Sequence, residues 1–283
     1  MILDFHTHIF PLEFIKHRLD IAAKDTAFGW LYGNAAASMA GAEELFRAMD
    51  AAGVQRSVTF GFPFKDRDFA HQSNQYVLEA ARSNSRLIPF CTVNPKAEWA
   101  LEEAEWGLSE GMQGLGEIAA YDTGETGKIW GIVKDLARMA AEAKVPILIH
   151  VNEPVGHAYP GKVDVSLGRI YELIRACPDT KMVLAHWGGG LFFYELLKKE
   201  AKEVLRNTWY DTAASPFLYQ PLIYRLAMDI GLGLKILFGS DYPLIKPERY
   251  FKELEVSGTG GTDLENILGK NALRLLNYEN KFL

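Results

Sequence analysis

Asp4-Phe5-His6-Thr7-His8-Ile9-Phe10-Pro11 is the stretch that decides how this chain is read. Met1-Ile2-Leu3 precede it, so an apolar segment gives way almost at once to His-x-His. In a β-strand residues i and i+2 project to one face, which predicts two imidazoles pointing the same way from a strand end. Neutral imidazole is the commonest protein ligand for Zn and also suits Fe, Ni and Cu, so such a pair is half of a metal site. Taken alone, the pair would serve equally well as a hydrogen-bonded strand end. The other strand ends decide between these readings.

Outward from this segment, eight short β-branched or aromatic runs stand out, at 2–8, 56–62, 87–94, 113–119, 146–151, 181–187, 209–212 and 235–240. Segments of helical period alternate with them, at 43–52, 69–84, 98–109, 128–143, 166–176, 191–205 and 218–230. Most of the strands are continuously apolar, as in Ile147-Leu148-Ile149 and Met182-Val183-Leu184-Ala185, the pattern of a parallel sheet covered on both faces. That leaves a closed barrel or an open doubly wound sheet. No Gly-x-Gly-x-x-Gly follows the first strand, and eight repeats suit the barrel. The expectation is a single-domain (β/α)8 TIM barrel over 1–283. Thr262-Asp263-Leu264-Glu265 reads as a capping box opening a final helix to about residue 277, placed in the outer ring. Two connections are long, after strands one and five, and in a barrel both lie on the C-terminal face where active sites are built.

Composition bounds the function. The formal net charge of -6 and the scattered Lys and Arg argue against nucleic acid as a partner. No apolar stretch reaches the roughly 18 residues of a membrane span, and Asp4, His6 and His8 interrupt the N-terminal run too early for a signal peptide. A soluble, cytoplasmic protein is expected. Two cysteines, Cys91 and Cys177, exclude a disulfide framework or a four-Cys metal site.

Four further strands end on metal-competent side chains: Glu117 on the fourth, His150 on the fifth, His186 on the sixth and Asp241 on the eighth. With His6 and His8 they make four histidines and two carboxylates on one face of one barrel. The opening Asp-Phe-His-Thr-His-Ile-Phe-Pro, His150, Leu-Ala-His-Trp-Gly-Gly-Gly at 184–190, Gly-Ser-Asp-Tyr-Pro at 239–243 and Asn271-Ala272-x-x-Leu275 resemble the amidohydrolase superfamily. The resemblance is greatest to its amidohydrolase-related branch of metal-dependent hydrolases, hydratases and nonoxidative decarboxylases. It implies a distorted TIM barrel with a divalent metal, usually Zn and in some members Mn. Carried over, the pattern makes His6, His8, His150 and Asp241 ligands, with His186 acting on water or substrate or binding a second ion. Glu117 stands where two-metal relatives place a bridging group, so one or two ions are open.

Bland readings compete for the other candidates. Glu153, His157, Tyr159 and Lys162 belong to a loop that is either a substrate clamp or merely solvated. His17 and Arg18 read as an exposed helix face, His71 as a surface residue, and Trp187 as packing at the barrel mouth.

A divalent ion with an open position lowers the pKa of water from about 15.7 toward roughly 7 and polarises a carbonyl. The resemblance then gives Asp241 the water's proton and His186 the developing negative charge. Hydrolysis of an amide, lactone or ester of a small molecule is the first expectation. Decarboxylation or hydration of an aromatic or unsaturated carboxylate is the alternative, ranked second because no Lys or Arg at a strand end is placed to hold a carboxylate. A TatD-like nuclease, suggested by Gly-Leu-Gly-Glu-Ile at 114–118, and a non-catalytic metal-binding barrel are weaker readings. A homodimer is the base-rate expectation.

Overall fold

The computed structural model describes residues 1–119, 121, 127–197 and 199–278. Each apolar run forms a strand, shorter than the run itself: β1 (Leu3–His8), β2 (Arg56–Phe60), β3 (Leu87–Pro89), β4 (Leu115–Ile118), β5 (Ile147–Ile149), β6 (Met182–Leu184), β7 (Thr208–Asp211) and β8 (Ile236–Leu237). All pairings are parallel, in the orders β1-β2-β3 and β4-β5-β6-β7-β8. Backbone hydrogen bonds bridge the two remaining seams. Phe5 N–H donates to Phe238 O at 2.7 Å and His8 N–H to Tyr242 O at 2.7 Å; Cys91 N–H donates to Gly114 O at 2.9 Å and Gly116 N–H to Cys91 O at 2.8 Å. The architecture is a (β/α)8 barrel.

Strand alternation sorts the apolar side chains into two cores. Leu148, Val183 and Leu237 face inward with Leu3, Phe5, Val58, Phe60, Ile88 and Phe90. Their neighbours Ile147, Ile149, Met182, Leu184 and Ile236 face outward onto helices 42–52, 67–83, 127–142 and 167–176. This double coverage is why the strands are apolar throughout.

Two irregularities place site residues. Between the pairs Asp4↔Ser57 and Thr7↔Thr59 β1 carries one residue more than β2, and between Leu115↔Ile147 and Ile118↔Ile149 β4 carries one more than β5. A bulge turns consecutive side chains to the same side. Phe5 can thus join the inner core while His6, the next residue, packs its ring 5.0 Å from Phe60.

Three expectations need correction. The helix expected at 191–205 is split: after a left-handed run in which Trp187, Gly188, Gly189 and Gly190 take φ of 60°, 57°, 60° and 95°, the chain makes 3-10 turns to Leu196, an α-helix at Lys199–Val204 and a 3-10 turn at Leu205–Asn207. The capping box at Thr262 does not form: Gly260 is the N-cap, no side chain caps it, and Thr262 lies inside the first turn. The closing segment runs as helix Gly261–Glu265, a π-helical turn Asn266–Lys270 and helix Asn271–Leu275.

This closing segment joins the outer ring only in its first part, where Ile267 is buried in the outer core with Leu264 and Leu268 against it and Phe238 N–H donates to Ile267 O at 2.9 Å. Ala272, Leu275 and Tyr278 pack onto the inner core. Asn271 donates to Gly233 O and Ile236 O, and Lys181 donates to Leu275 O, all at the N-terminal ends of strands. The last helix, Asn271–Leu275, therefore plugs the end of the barrel opposite His8. The long connection after β1 folds into short helices Leu12–Lys16, Arg18–Lys24 and Thr26–Tyr32. No described helix is long and apolar enough to cross a membrane.

Candidate metal centre

His6, His8, Glu117, His150, His186 and Asp241 converge at the C-terminal mouth. Each imidazole turns one nitrogen outward to an acceptor. His6 Nδ1 donates to Asp211 Oδ2 at 2.8 Å, His8 Nδ1 to Gly61 O at 3.1 Å, His186 Nδ1 to Ala213 O at 3.0 Å and His150 Nε2 to Gly161 O at 3.0 Å. These partners assign the tautomers, leaving a lone pair on the other nitrogen of each ring.

The inner nitrogens face one another. His6 Nε2 lies 3.3 Å from His8 Nε2, and His186 Nε2 lies 3.3 Å from His150 Nδ1. Glu117 Oε1 is central, 2.9 Å from His150 Nδ1, 3.6 Å from His186 Nε2 and 3.8 Å from His6 Nε2. Asp241 Oδ1 lies 3.4 Å from His8 Nε2 and 3.6 Å from His6 Nε2. Lone pairs and carboxylates this close repel unless protons or a cation stand between them, so the donor set fits a divalent cation. Two compact groups form within it, His6–His8–Asp241 and His6–Glu117–His186, sharing His6. His150 belongs to neither; its inner nitrogen is turned to Glu117.

The electrostatics without a metal show the same demand. Burial depresses the basicity of His6, but Asp211, Glu117 and Asp241 outweigh it and push its pKa to about 10. Burial likewise opposes His186, which Glu117 and Asp241 raise to about 9. Burial would raise Asp241; its bond to His8 and the charges on His6 and His186 prevail and hold it at about 2. Glu117 is held well below the usual carboxylate range, its burial outweighed by His150 and His6.

Backbone geometry supports a functional assignment. His186 and Asp241 both adopt left-handed φ, 55° and 59°, a conformation that costs non-glycine residues of order 1 kcal/mol or more and that clusters at active sites. Gly61, whose carbonyl accepts from His8, packs closely on Ser73: a Cβ there would stand 2.1 Å from Ser73 Oγ and require that hydroxyl to turn aside.

Sequence reasoning missed Asp211. It is completely buried, and besides His6 it accepts the N–H groups of His186 at 2.9 Å and Ala213 at 3.0 Å. Its signal was available, as a carboxylate at the end of the seventh strand. It also missed Tyr121, which donates to Glu117 Oε2 at 3.2 Å, and Asp4, which accepts from the backbone of His6 and Ser240 and which burial pushes to about 7.

The other candidates divide. Lys162 donates to Glu153 Oε1 at 3.1 Å and to Val155 O, and Tyr159 donates to Glu153 Oε2 at 2.9 Å, so these loop residues brace one another. The His157 side chain is exposed. His17 lies on an exposed face beside Glu13 and Asp20, and Arg18 donates to the carbonyls of Asn34 and Ala37. His71 pairs with buried Glu103, a deeper role than a surface residue has. Trp187 is fully buried, donating to Ser215 Oγ at 3.1 Å, and packs at the mouth as expected.

Fold and site together define a class, the (β/α)8 barrels that gather histidines and carboxylates at their C-terminal mouth. Within it, the chain belongs to the amidohydrolase family, whose profile matches residues 3–278. No curated protein matches it. Similar solved structures include 5-carboxyvanillate decarboxylase from Sphingomonas paucimobilis, 14% identical, with a TM-score of 0.73 and 98% of each chain covered. A dihydroxybenzoic acid decarboxylase from a Polaromonas species, with bound manganese and 2-nitroresorcinol, is 16% identical with a TM-score of 0.70, covering 100% of this chain and 99% of that one. A probable 2-pyrone-4,6-dicarboxylic acid hydrolase from Acinetobacter baumannii is 14% identical with a TM-score of 0.58, covering 98% and 99%.

Proposed function

We propose that this chain is a metal-dependent nonoxidative decarboxylase of an aromatic or unsaturated carboxylate. The observation that carries the reading is the wall beside the cation-binding set. Tyr121, bonded to Glu117, stacks on Phe62 with ring centroids 5.6 Å apart and planes 6° apart. From Phe62 the ring contacts run inward through buried Phe28, Phe64 and Phe10, and Tyr32 and Tyr121 are the partly exposed rings at the edge of this cluster. Tyr32 faces the acidic groups: burial first, then Asp241 and Glu117, push its hydroxyl pKa up. A flat ring would meet Tyr32 and Tyr121, held in place by the buried rings behind them. Similarity to decarboxylases of aromatic acids supports the same reading and ranks hydrolysis second.

His6, His8 and Asp241 would hold a divalent ion, Mn or Zn, with His150, Glu117 and His186 completing the set. When bound, the ion would supply a positive centre that orients the substrate's oxygens, which meets the objection that no Lys or Arg at a strand end is placed to hold a carboxylate. The bond from ring carbon to carboxyl carbon breaks, CO2 leaves, and its electron pair stays on the ring carbon, where a proton must be added. Where it does not ligate the ion, His186, which like His6 is held protonated in the metal-free mouth, would add that proton, and Asp241 is held ionised beside it. Asp211 fixes both the His6 tautomer and the His186 backbone.

The test is a panel of aromatic and unsaturated carboxylates with metal-loaded protein in D2O. Release of CO2 with one deuterium at the vacated carbon is expected, and its loss in Asp241→Asn and His186→Gln. Absence of CO2 from every member, with turnover of a lactone, amide or ester instead, would overturn the reading. Hydrolysis stays in view for one reason: Glu117 belongs to a second compact donor group, His6–Glu117–His186, beside His6–His8–Asp241, as a pair of ions would need. A small-molecule substrate and a cytoplasmic homodimer complete the proposal, the latter checked by sedimentation velocity.

A further inference from the structure

The seam between β3 and β4 has no regular ladder; a single bridge, Cys91↔Leu115, joins the two strands' edges. Glu117 lies just beyond it. Where a ladder is this short, side chains have to define where the next peptide points. Thr92 supplies that contact: its buried hydroxyl donates to Gly116 O at 2.6 Å, the carbonyl of the peptide unit that carries Glu117.

Thr92 is in turn held from behind. Asn74, fully buried on helix Arg67–Ser83, donates through Nδ2 to Thr92 O at 3.0 Å and accepts Thr92 N–H at Oδ1 at 2.9 Å, as a neighbouring strand would. The same amide donates to Glu103 Oε1 at 3.0 Å. Glu103 is a carboxylate only 4% exposed, and its other contact is His71 Nδ1, 3.1 Å from Oε2. Burying a carboxylate, an amide and a hydroxyl is costly unless each is hydrogen-bonded, and here each is. Apolar side chains would fill the same gap between the helices and the barrel without that cost. The polar chain ends on the peptide of Glu117.

We propose that Thr92, backed by Asn74 and Glu103, is a positioning residue for Glu117, setting the carboxylate against His150, His186 and His6. The inference rests on the reading of Glu117 as part of the cation-binding set. Thr92→Val is nearly isosteric and removes the hydroxyl; Thr92→Ser keeps it; Glu117→Gln removes the negative charge being positioned.

Mn2+ affinity is measured by isothermal titration calorimetry on metal-stripped protein for the wild type, the three single variants and the Thr92→Val/Glu117→Gln double variant. Thr92→Val is expected to weaken Mn2+ about tenfold, the scale of supporting-residue substitutions at metal sites. Thr92→Ser is expected to stay within about twofold of wild type, and Thr92→Val to add nothing once Glu117→Gln is present, the signature of action through one residue. Loss of affinity in Glu117→Gln with none in Thr92→Val would overturn the inference alone. An equal loss from Thr92→Val in both backgrounds would make its effect structural and also overturn it. No loss in Glu117→Gln would overturn the reading of Glu117 as a cation-binding residue. A separate readout covers that case: the Nδ1 resonance of His150 in nitrogen-15 spectra of the metal-free protein reports its 2.9 Å contact with Glu117. It should move in Thr92→Val and not in Thr92→Ser, and an unmoved resonance overturns the inference.

Discussion

Asp211 shows how much one buried side chain determines here. With one oxygen on His6 Nδ1 and the other on the backbone of His186 and Ala213, it ties β1, β7 and the turn after β6 together. Asp211→Asn is expected to weaken Mn2+ binding about 10- to 100-fold in calorimetric titration; undiminished affinity would refute its orienting role. The His6 and His186 pKa values also set a pH dependence. In the metal-free protein both are raised, to about 10 and about 9, so their contribution to stability is complete below the unfolded value near 6.5 and is lost as pH rises through 9 to 10. The melting temperature of stripped protein should therefore fall between pH 7 and 10. Metal-loaded protein, whose imidazoles would donate lone pairs instead of holding protons, should lack that fall. Parallel curves would show that these histidines do not bind the ion. For the same reason Mn2+ should displace protons, and its affinity should drop as the pH is lowered.

Among the elements, the segment after β6 is the one that departs most from its expected form. Its apolar period resembles a helix, yet Gly188, Gly189 and Gly190 carry the chain through a left-handed turn that aims His186 inward. A Cβ on Gly189 would lie 2.2 Å from Asn152 O, on the loop beyond β5, as well as requiring φ of 60°. Gly189→Ala should cost at least about 1 kcal/mol, a fall of roughly 2–4 °C in melting temperature for a barrel of this size. An unchanged melting temperature would mean that the turn is not confined as described. The closing segment keeps only its first part in the expected outer ring, for a different reason. Its apolar face is legible in sequence, but periodicity does not say whether that face meets the outside of a strand or the open end of the barrel.

For the whole molecule, the barrel separates stability from chemistry along its axis. Leu275 closes the N-terminal end against Leu3 and Phe5, while the donor set occupies the C-terminal mouth. Leu275→Ala should cost about 2–5 kcal/mol in chemical denaturation and leave Mn2+ affinity unchanged, and a large loss of affinity would contradict the separation. All eight strands, and six residues that meet at the mouth, were legible in the sequence because strand period and residue chemistry are local properties. His-x-His at a strand end needs nothing distant to be recognised. Local patterns alone thus specify the barrel, its functional end and the kinds of donor gathered there. Tertiary structure alone decided the rest: that Asp211 orients His6, that His150 turns to Glu117, that Tyr121 and Phe62 form an aromatic wall, and that the final helix is a plug. Each depends on distances between segments far apart in the chain, set by how two bulged strands and a left-handed turn pack, and no local pattern encodes such a distance.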